Sequence, residues 1–136
     1  MQLIRTFATW LRARLLLASP APARSQTDRA WKLAAKLRRE GIGFADVQSA
    51  LIRAAVALQD ERMGPAQAIE HLRYAIAAAA DNDMAFHCVA AQCRLGALVG
   101  GLEGETLITR SDKWMRDQGV VNPLRMINIV APGFDA

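Results

Sequence analysis

The chain of 136 residues has few of the side chains that build metal and redox centres, with two histidines, two cysteines and 6% aromatic residues. His87, Cys88 and Cys93 point in different directions around a helix, so they do not form a set of zinc ligands. The two cysteines lie about 140° apart around the helix axis and cannot pair within it. We therefore expect no metal, no cofactor and no disulfide, and the reduced thiols favour a cytoplasmic location.

Long apolar runs are also missing, so the sequence predicts no membrane-spanning helix. Residues 1–27 contain no acidic side chain, and a leucine-rich stretch precedes the Pro/Ala segment 20–23. Arg12 and Arg14 interrupt this stretch and leave it too short for the apolar core of a signal peptide. An amphipathic helix fits these residues better, with one apolar face formed by Leu3, Phe7, Trp10, Leu11 and Leu15.

Catalytic motifs are absent as well. The glycines at positions 100, 101 and 104 follow no strand and precede no Gly-Lys-Ser/Thr sequence, so they indicate a turn between helices and not a phosphate loop. No serine, cysteine or lysine has a base at a spacing that would activate it, and no pair of carboxylates stands out. We therefore expect a protein that binds without catalysing a reaction.

Helical periodicity fills the chain, and no alternation typical of strands occurs in it. The composition is 52% hydrophobic and 22% charged, which is typical of a globular domain, and much of the apolar part is alanine. Glycine, proline and capping residues divide the pattern into seven predicted helices. These run over about 2–18, 27–40, 44–64, 65–80, 84–99, from just after Gly104 to Gly119, and 123–130.

A weak internal repeat relates these helices. A shift of 36 residues places Ala54-Ala55 on Ala90-Ala91 and Gly64 on Gly100. A period of this length, with a helix-turn-helix in each unit, is typical of tetratricopeptide-like arrays. The predicted fold is all-α, a short solenoid of stacked antiparallel hairpins whose concave face would bind a partner. We divide the chain into a basic amphipathic helix with its Pro/Ala linker, residues 1–24, and a helical-repeat domain, residues 25–136.

Charge is distributed unevenly along the chain. Residues 1–40 contain nine basic and two acidic side chains, a net charge of +7, whereas residues 41–136 contain eight basic and eleven acidic ones, a net charge of −3. The basic end is either a solvated helix face, a face towards an acidic neighbour, or a site for nucleic acid or anionic lipid. No aromatic or glycine pattern of a nucleic-acid module accompanies it.

Five residues are candidates for binding a protein or peptide partner. Arg53, Arg73 and Arg94 are placed along the predicted repeats where they would contact acidic groups of a segment held in the concave groove. Trp31 and Trp114 are candidate interface anchors, since tryptophan is common in binding hot spots, although packing in the core is the alternative for both.

Residues 29–134 resemble the α-helical, tetratricopeptide-like C-terminal region of large bacterial serine/threonine protein kinases. The resemblance covers about three-quarters of the chain, is most specific in the C-terminal third, and rests on short segments. These are 37–40, 51–58, 68–72, 80–84, Arg94-Leu95-Gly96, Gly100-Gly101 with Gly104, 112–115 with Gln118-Gly119, Asn122-Pro123 with Arg125-Met126, and Ala131-Pro132-Gly133-Phe134.

The kinase motifs themselves are absent. A kinase needs a glycine-rich loop, a strand lysine, His-Arg-Asp and Asp-Phe-Gly, and none of these occurs here. The resemblance therefore implies a regulatory or sensing tail without the catalytic domain, acting in signalling through protein–protein interaction. The alternatives are a peripheral protein that binds membrane or nucleic acid through its basic N-terminal segment, and a fragment that self-associates through an apolar face where earlier repeats stacked.

Overall fold

A computed structural model describes residues 1–19 and 21–134. The described residues form seven α-helices and no strand, which confirms the all-α fold. Part of the Pro/Ala linker, Pro20, and the last two residues of the predicted repeat domain, Asp135 and Ala136, lie outside the described residues. The helices are α1 (Gln2–Leu17), α2 (Arg24–Arg39), α3 (Gly43–Gln59), α4 (Pro65–Asp81), α5 (Ala85–Val99), α6 (Gly101–Asp117) and α7 (Pro123–Val130).

The predicted helix boundaries are wrong at two places where a side chain competes with the expected signal. The second helix begins at Arg24, three residues earlier than expected, because the Gln26 side chain accepts a hydrogen bond from the N–H of Ala23 (2.7 Å) and caps it. The third helix ends at Gln59, not at Gly64. Asp60 accepts a hydrogen bond from the N–H of Arg62 (2.9 Å), which turns the chain out of the helix.

The predicted glycine turn at positions 100–104 is mostly helix, because α6 begins at Gly101. Gly104 lies inside α6 and faces Gly96 of α5. A Cβ atom added to Gly96 would lie 2.7 Å from the carbonyl oxygen of Gly104, and one added to Gly104 would lie 2.4 Å from that of Gly96. The two glycines are therefore needed for the close crossing of α5 and α6, not for a turn.

Consecutive helices pack against each other from α1 to α6, as expected of a short helical-repeat solenoid. The internal repeat has a structural counterpart, since Ala54, Ala55, Ala90 and Ala91 are all fully buried. The shifted pair Gly64 and Gly100 both immediately precede the second helix of a hairpin, with positive φ values of 104° and 64°. The hairpins α3–α4 and α5–α6 are thus equivalent units.

The buried apolar residues form two clusters that meet at α3. One cluster joins α3 to α4 and α5 and includes Leu51, Leu72 and Leu95. The other joins α3 to α1 and α2 and includes Leu17 and Leu37, so α1 packs on the same core as the repeats. None of the described helices is both long and apolar enough to cross a membrane.

The segment after α7 returns across the odd-numbered helices. We call the surface of α1, α3 and α5 on which it lies the odd-helix face. There Gly133 lies against Leu17 of α1 and Ala55 of α3, and its carbonyl oxygen accepts a hydrogen bond from the Gln59 side chain (2.8 Å). The Arg94 guanidinium of α5 donates to the carbonyl oxygen of Ala131 (3.0 and 3.2 Å). The chain itself thus covers this part of the odd-helix face.

Candidate partner-binding groove

An open groove of about 270 Å³ lies between α2 and α4, with α3 as its floor. We call it the even-helix groove. The floor contains the small side chains Ser49 and Ala50, and the Ser49 hydroxyl donates to the carbonyl oxygen of Ala34 (2.7 Å). Small residues here leave a hollow that larger ones would fill. Its charged and aromatic lining consists of Arg38, Asp46, Arg53, Glu70, His71 and Tyr74.

Arg53 is the central side chain of this groove. Its guanidinium carbon lies 5.0 Å from the centre of the Trp31 ring. The rings of Trp31 and His71 pack in a T-shaped arrangement, with their centres 5.9 Å apart. The Nε atom of Arg53 is buried and has no hydrogen-bond partner among the described residues. A buried donor without a partner is costly, and the planar guanidinium stacks on the aromatic ring.

Two groove residues have pKa values that reflect burial and positive charge. Burial is the main reason that the pKa of Arg53 lies below its ordinary value, the charge of Arg38 lowers it further, and Asp46 opposes the shift. Burial also lowers the pKa of His71, and the neighbouring Arg53 charge adds to the shift while Glu70 opposes it. An anion near Arg53 would reduce the repulsion between these groups.

A hydrogen bond between a tyrosine of α4 and an aspartate of α3 joins the α4 wall of the groove to its floor. The Tyr74 hydroxyl donates to Oδ2 of Asp46 (2.5 Å), and this hydrogen bond is the main reason that the pKa of Tyr74 is raised. The Arg38 guanidinium lies 6.0 Å from the Tyr74 ring centre. Because Asp46 already accepts this bond, it is oriented towards α4, leaving Arg53 without an ion-pair partner in the described part of the chain.

The structure brings together two of the five predicted partner-binding residues and separates the other three. Arg53 and Trp31 meet at the groove. Arg73 lies on α4 but is directed to α6, where it approaches Glu103 at 3.7 Å in an exposed ion pair of little energetic weight. Trp114 is half-buried against Phe86, edge to face with ring centres 5.0 Å apart, and packs on the core, the alternative considered for it.

Arg94, the fifth candidate, lies away from the even-helix groove and contacts the end of its own chain. Its side chain is 7% exposed, and its guanidinium binds Ala131 and Asn128 and lies over the Phe134 ring. Charge alone does not reveal this role, because the residues that Arg94 binds lie more than 30 positions further along the chain. Arg94 holds α7 and the segment after it on α5.

The sequence patterns did not single out Arg38, Asp46, His71 and Tyr74 as binding residues. The spacing of Asp46, His71 and Tyr74 along their helices could have indicated them. Asp46 and Arg53 are seven positions apart and lie on one face of α3, while His71 and Tyr74 are three positions apart on α4. Polar residues that recur at helical spacing beside an apolar stripe mark such a groove wall, but only the packing of α2 on α3 brings Arg38 to it.

Comparisons with known proteins identify no relative of this chain: no protein-family profile, no curated protein and no solved structure matches it. Within residues 1–19 and 21–134, no group of three or more histidine, cysteine or acidic side chains is placed to hold a metal ion. The lining of the even-helix groove supplies arginine, histidine, tyrosine and carboxylate side chains.

Proposed function

We propose that this chain is a non-catalytic helical-repeat module that binds an acidic segment of a partner protein in the even-helix groove. The single observation that carries the proposal is Arg53, which is stacked on Trp31 and has a buried Nε without a hydrogen-bond partner among the described residues. A carboxylate bound at this guanidinium would form a charge-assisted hydrogen bond, and a shift of the Arg53 side chain on the Trp31 ring would bring the Nε donor to it.

The groove also sets the orientation of such a segment. Its acidic side chain would bind at Arg53 and Arg38, while Asp46 and Glu70 would repel a second carboxylate on their side. A partner with an aspartate or glutamate next to a neutral or basic residue would therefore bind better than a run of acids. The exposed part of Tyr74 offers an aromatic surface at the rim.

The resemblance to the C-terminal region of bacterial serine/threonine kinases supplies a biological setting for the same proposal. In that setting the module acts in bacterial signalling as a sensing or regulatory tail in the cytoplasm. Its partner is then either a protein that regulates the kinase or a segment of the kinase itself. The location and the signalling role stand on this resemblance, whereas the groove stands on the geometry of Arg53.

The test compares the affinity of synthetic peptides for three forms of the protein. The probes are fluorescent ten-residue peptides that carry one glutamate beside apolar residues, and the same peptides with glutamine in its place. We expect the glutamate peptides to bind the wild type, and Arg53→Gln to weaken this binding by about tenfold to a hundredfold, since a charge-assisted hydrogen bond contributes about 1.5–3 kcal/mol.

The control variant is Arg110→Gln, which removes an exposed arginine of α6 far from the groove residues in sequence. Bound carboxylate should also raise the pKa of His71 in NMR titrations, because it offsets the charge of Arg53. Equal affinities for Arg53→Gln and Arg110→Gln, or equal binding of the glutamate and glutamine peptides, would refute the proposal.

A further inference from the structure

The first helix is turned so that several of its large apolar side chains face solvent. Leu3 and Ile4 are each 65% exposed, Phe7 is 56% exposed and Leu15 is 61% exposed, while Leu11 between them is half-buried. We call these five residues the α1 outer face. They recur at the spacing of one helix face and form a continuous apolar ridge along α1.

The inner side of α1 explains this orientation. It consists of Thr6, Thr9, Ala13 and Leu17, which are buried against α2 and α3. The hydroxyls of Thr6 and Thr9 donate to carbonyl oxygens one turn earlier in the helix (2.9 and 2.8 Å), so they are buried with a hydrogen-bond partner. Small side chains allow α1 to approach the alanines of α2 closely, which leaves the larger residues on the outside.

Basic side chains border the α1 outer face. Arg12 and Arg29 line a shallow hollow with Leu15, and the Arg14 guanidinium lies 5.8 Å from the ring of Trp10. Trp10 in turn contacts Phe7, with ring centres 5.5 Å apart. No acidic residue occurs in residues 1–27. The result is an apolar ridge with a positive rim, on a helix about 24 Å long at 1.5 Å per residue.

We propose that the α1 outer face binds the surface of an anionic lipid bilayer. A helix with an apolar face and arginines at its edge lies in the interface plane, where its apolar side chains enter the acyl region and its arginines meet the headgroups. The proposal rests on α1 and the basic side chains that border it, and it is independent of the even-helix groove.

Charge complementarity favours a membrane over the other occupants. A second copy of the chain would bring two positive rims together around its ridge, and like charges at an interface repel. Nucleic acid would match the charge but would leave the apolar ridge without a partner, since its backbone is polar and charged.

The experiment measures co-sedimentation of the full chain with vesicles of phosphatidylcholine and with vesicles of phosphatidylcholine and phosphatidylserine. We expect binding to the phosphatidylserine vesicles only, weakened by salt. Phe7→Ser should reduce it about tenfold or more through lost apolar burial, and Arg12→Gln should reduce it through lost charge. The matched controls are Leu102→Ser, which changes an apolar side chain of α6 that is 81% exposed, and Arg110→Gln. Circular dichroism verifies that each variant keeps its helices.

Three outcomes would overturn the proposal. Equal vesicle binding by Phe7→Ser and Leu102→Ser would show that the α1 outer face is not used. A concentration-dependent dimer that Phe7→Ser abolishes, without vesicle binding by the wild type, would assign the face to a second copy. Binding of duplex DNA that Arg12→Gln weakens and Phe7→Ser does not, again without vesicle binding, would assign the basic rim to nucleic acid.

Discussion

At the scale of single residues, Arg53 and Arg94 differ through their surroundings and not through their chemistry. Both lie on the first helix of a hairpin and both contact an aromatic ring. Arg94 donates to a main-chain carbonyl that the chain itself supplies, whereas the buried Nε of Arg53 has no hydrogen-bond partner within the described residues. A guanidinium that the fold has already satisfied stabilises the fold, while one that it leaves unsatisfied in a groove is suited to an external anion.

Two carboxylates predict how stability depends on pH. The Arg5 guanidinium binds Glu40 (2.8 and 3.0 Å) and is the main reason that the pKa of Glu40 lies at about 2, below its ordinary 4.5. Arg62 lowers the pKa of Asp60 from 3.8 to about 2 in the same way. Both groups bind fewer protons in the folded than in the unfolded chain, so their contribution is complete above about pH 5 and disappears as the pH falls to about 2.

We therefore expect the urea midpoint of the wild type to fall between about pH 5 and pH 2, and to fall less steeply in Glu40→Gln, which has no Glu40 carboxylate to protonate. Circular dichroism in urea at a series of pH values measures this. Glu105→Gln, which removes an exposed carboxylate of α6, is the control. If Glu40→Gln follows the wild-type slope, the Arg5–Glu40 pair does not contribute to acid stability.

At the scale of helices, the close crossing of α5 and α6 predicts that replacing Gly96 with alanine destabilises the fold, the reverse of the usual effect of this substitution inside a helix. A glycine inside a helix is ordinarily improved by alanine, by about 1 kcal/mol. At Gly96 the added Cβ would lie 2.7 Å from a main-chain oxygen of α6, which cannot move without moving the helix. We expect Gly96→Ala to lower the free energy of unfolding by about 1–3 kcal/mol, the usual cost of overpacking.

Urea unfolding followed by circular dichroism checks this, with Gly43→Ala as the comparison. The Cβ added to Gly43 would meet the end of the exposed Asn82 side chain, which can rotate away. If Gly96→Ala keeps the stability of the wild type, the α5–α6 crossing is not a rigid contact.

Local signals predicted the helices well, and distant contacts explain what they missed. Pro65 and Pro123 begin α4 and α7 as expected, and the Asn122 side chain caps α7 by accepting a hydrogen bond from the N–H of Arg125 (3.1 Å). The start of α6 was missed because a glycine needed for close packing looks the same in sequence as a glycine needed for a turn. The groove could not be predicted because periodicity within one helix does not determine which faces of α2 and α4 pack on α3 and border the groove.

At the scale of the whole molecule, the segment after α7 changes how the stack holds together. In a simple solenoid each unit contacts only its neighbours, so the ends open independently. Here Gly133 contacts α1 and α3, and the Arg14 side chain of α1 donates to the carbonyl oxygen of Ile129 in α7 (3.0 Å). The first and last helices are therefore linked, and we expect α1 to be protected by the C-terminal segment.

Gly133→Ala tests this link. Gly133 has a φ of +90°, which strains any residue with a Cβ, and the added atom would lie 3.0 Å from Ala55 Cβ and 3.1 Å from Leu17 Cβ. We expect the free energy needed to detach the segment from α1 to fall by about 1–3 kcal/mol. Amide hydrogen exchange in the last turns of α1 then becomes about tenfold faster or more. Mass spectrometry of exchanged peptides from α1 measures it.

The matched control is Gly119→Ala, because Gly119 has a similar φ of +85° but has no atom within 4 Å of an added Cβ. Both variants then carry the same backbone strain, and only Gly133→Ala disturbs a contact with α1. If the amides of α1 exchange at the same rate in the two variants, the contact of Gly133 with α1 has no effect of its own, and the ends of the chain are not coupled. If only Gly133→Ala exposes α1, the segment after α7 closes the stack, and the orientation of the α1 outer face depends on the far end of the chain.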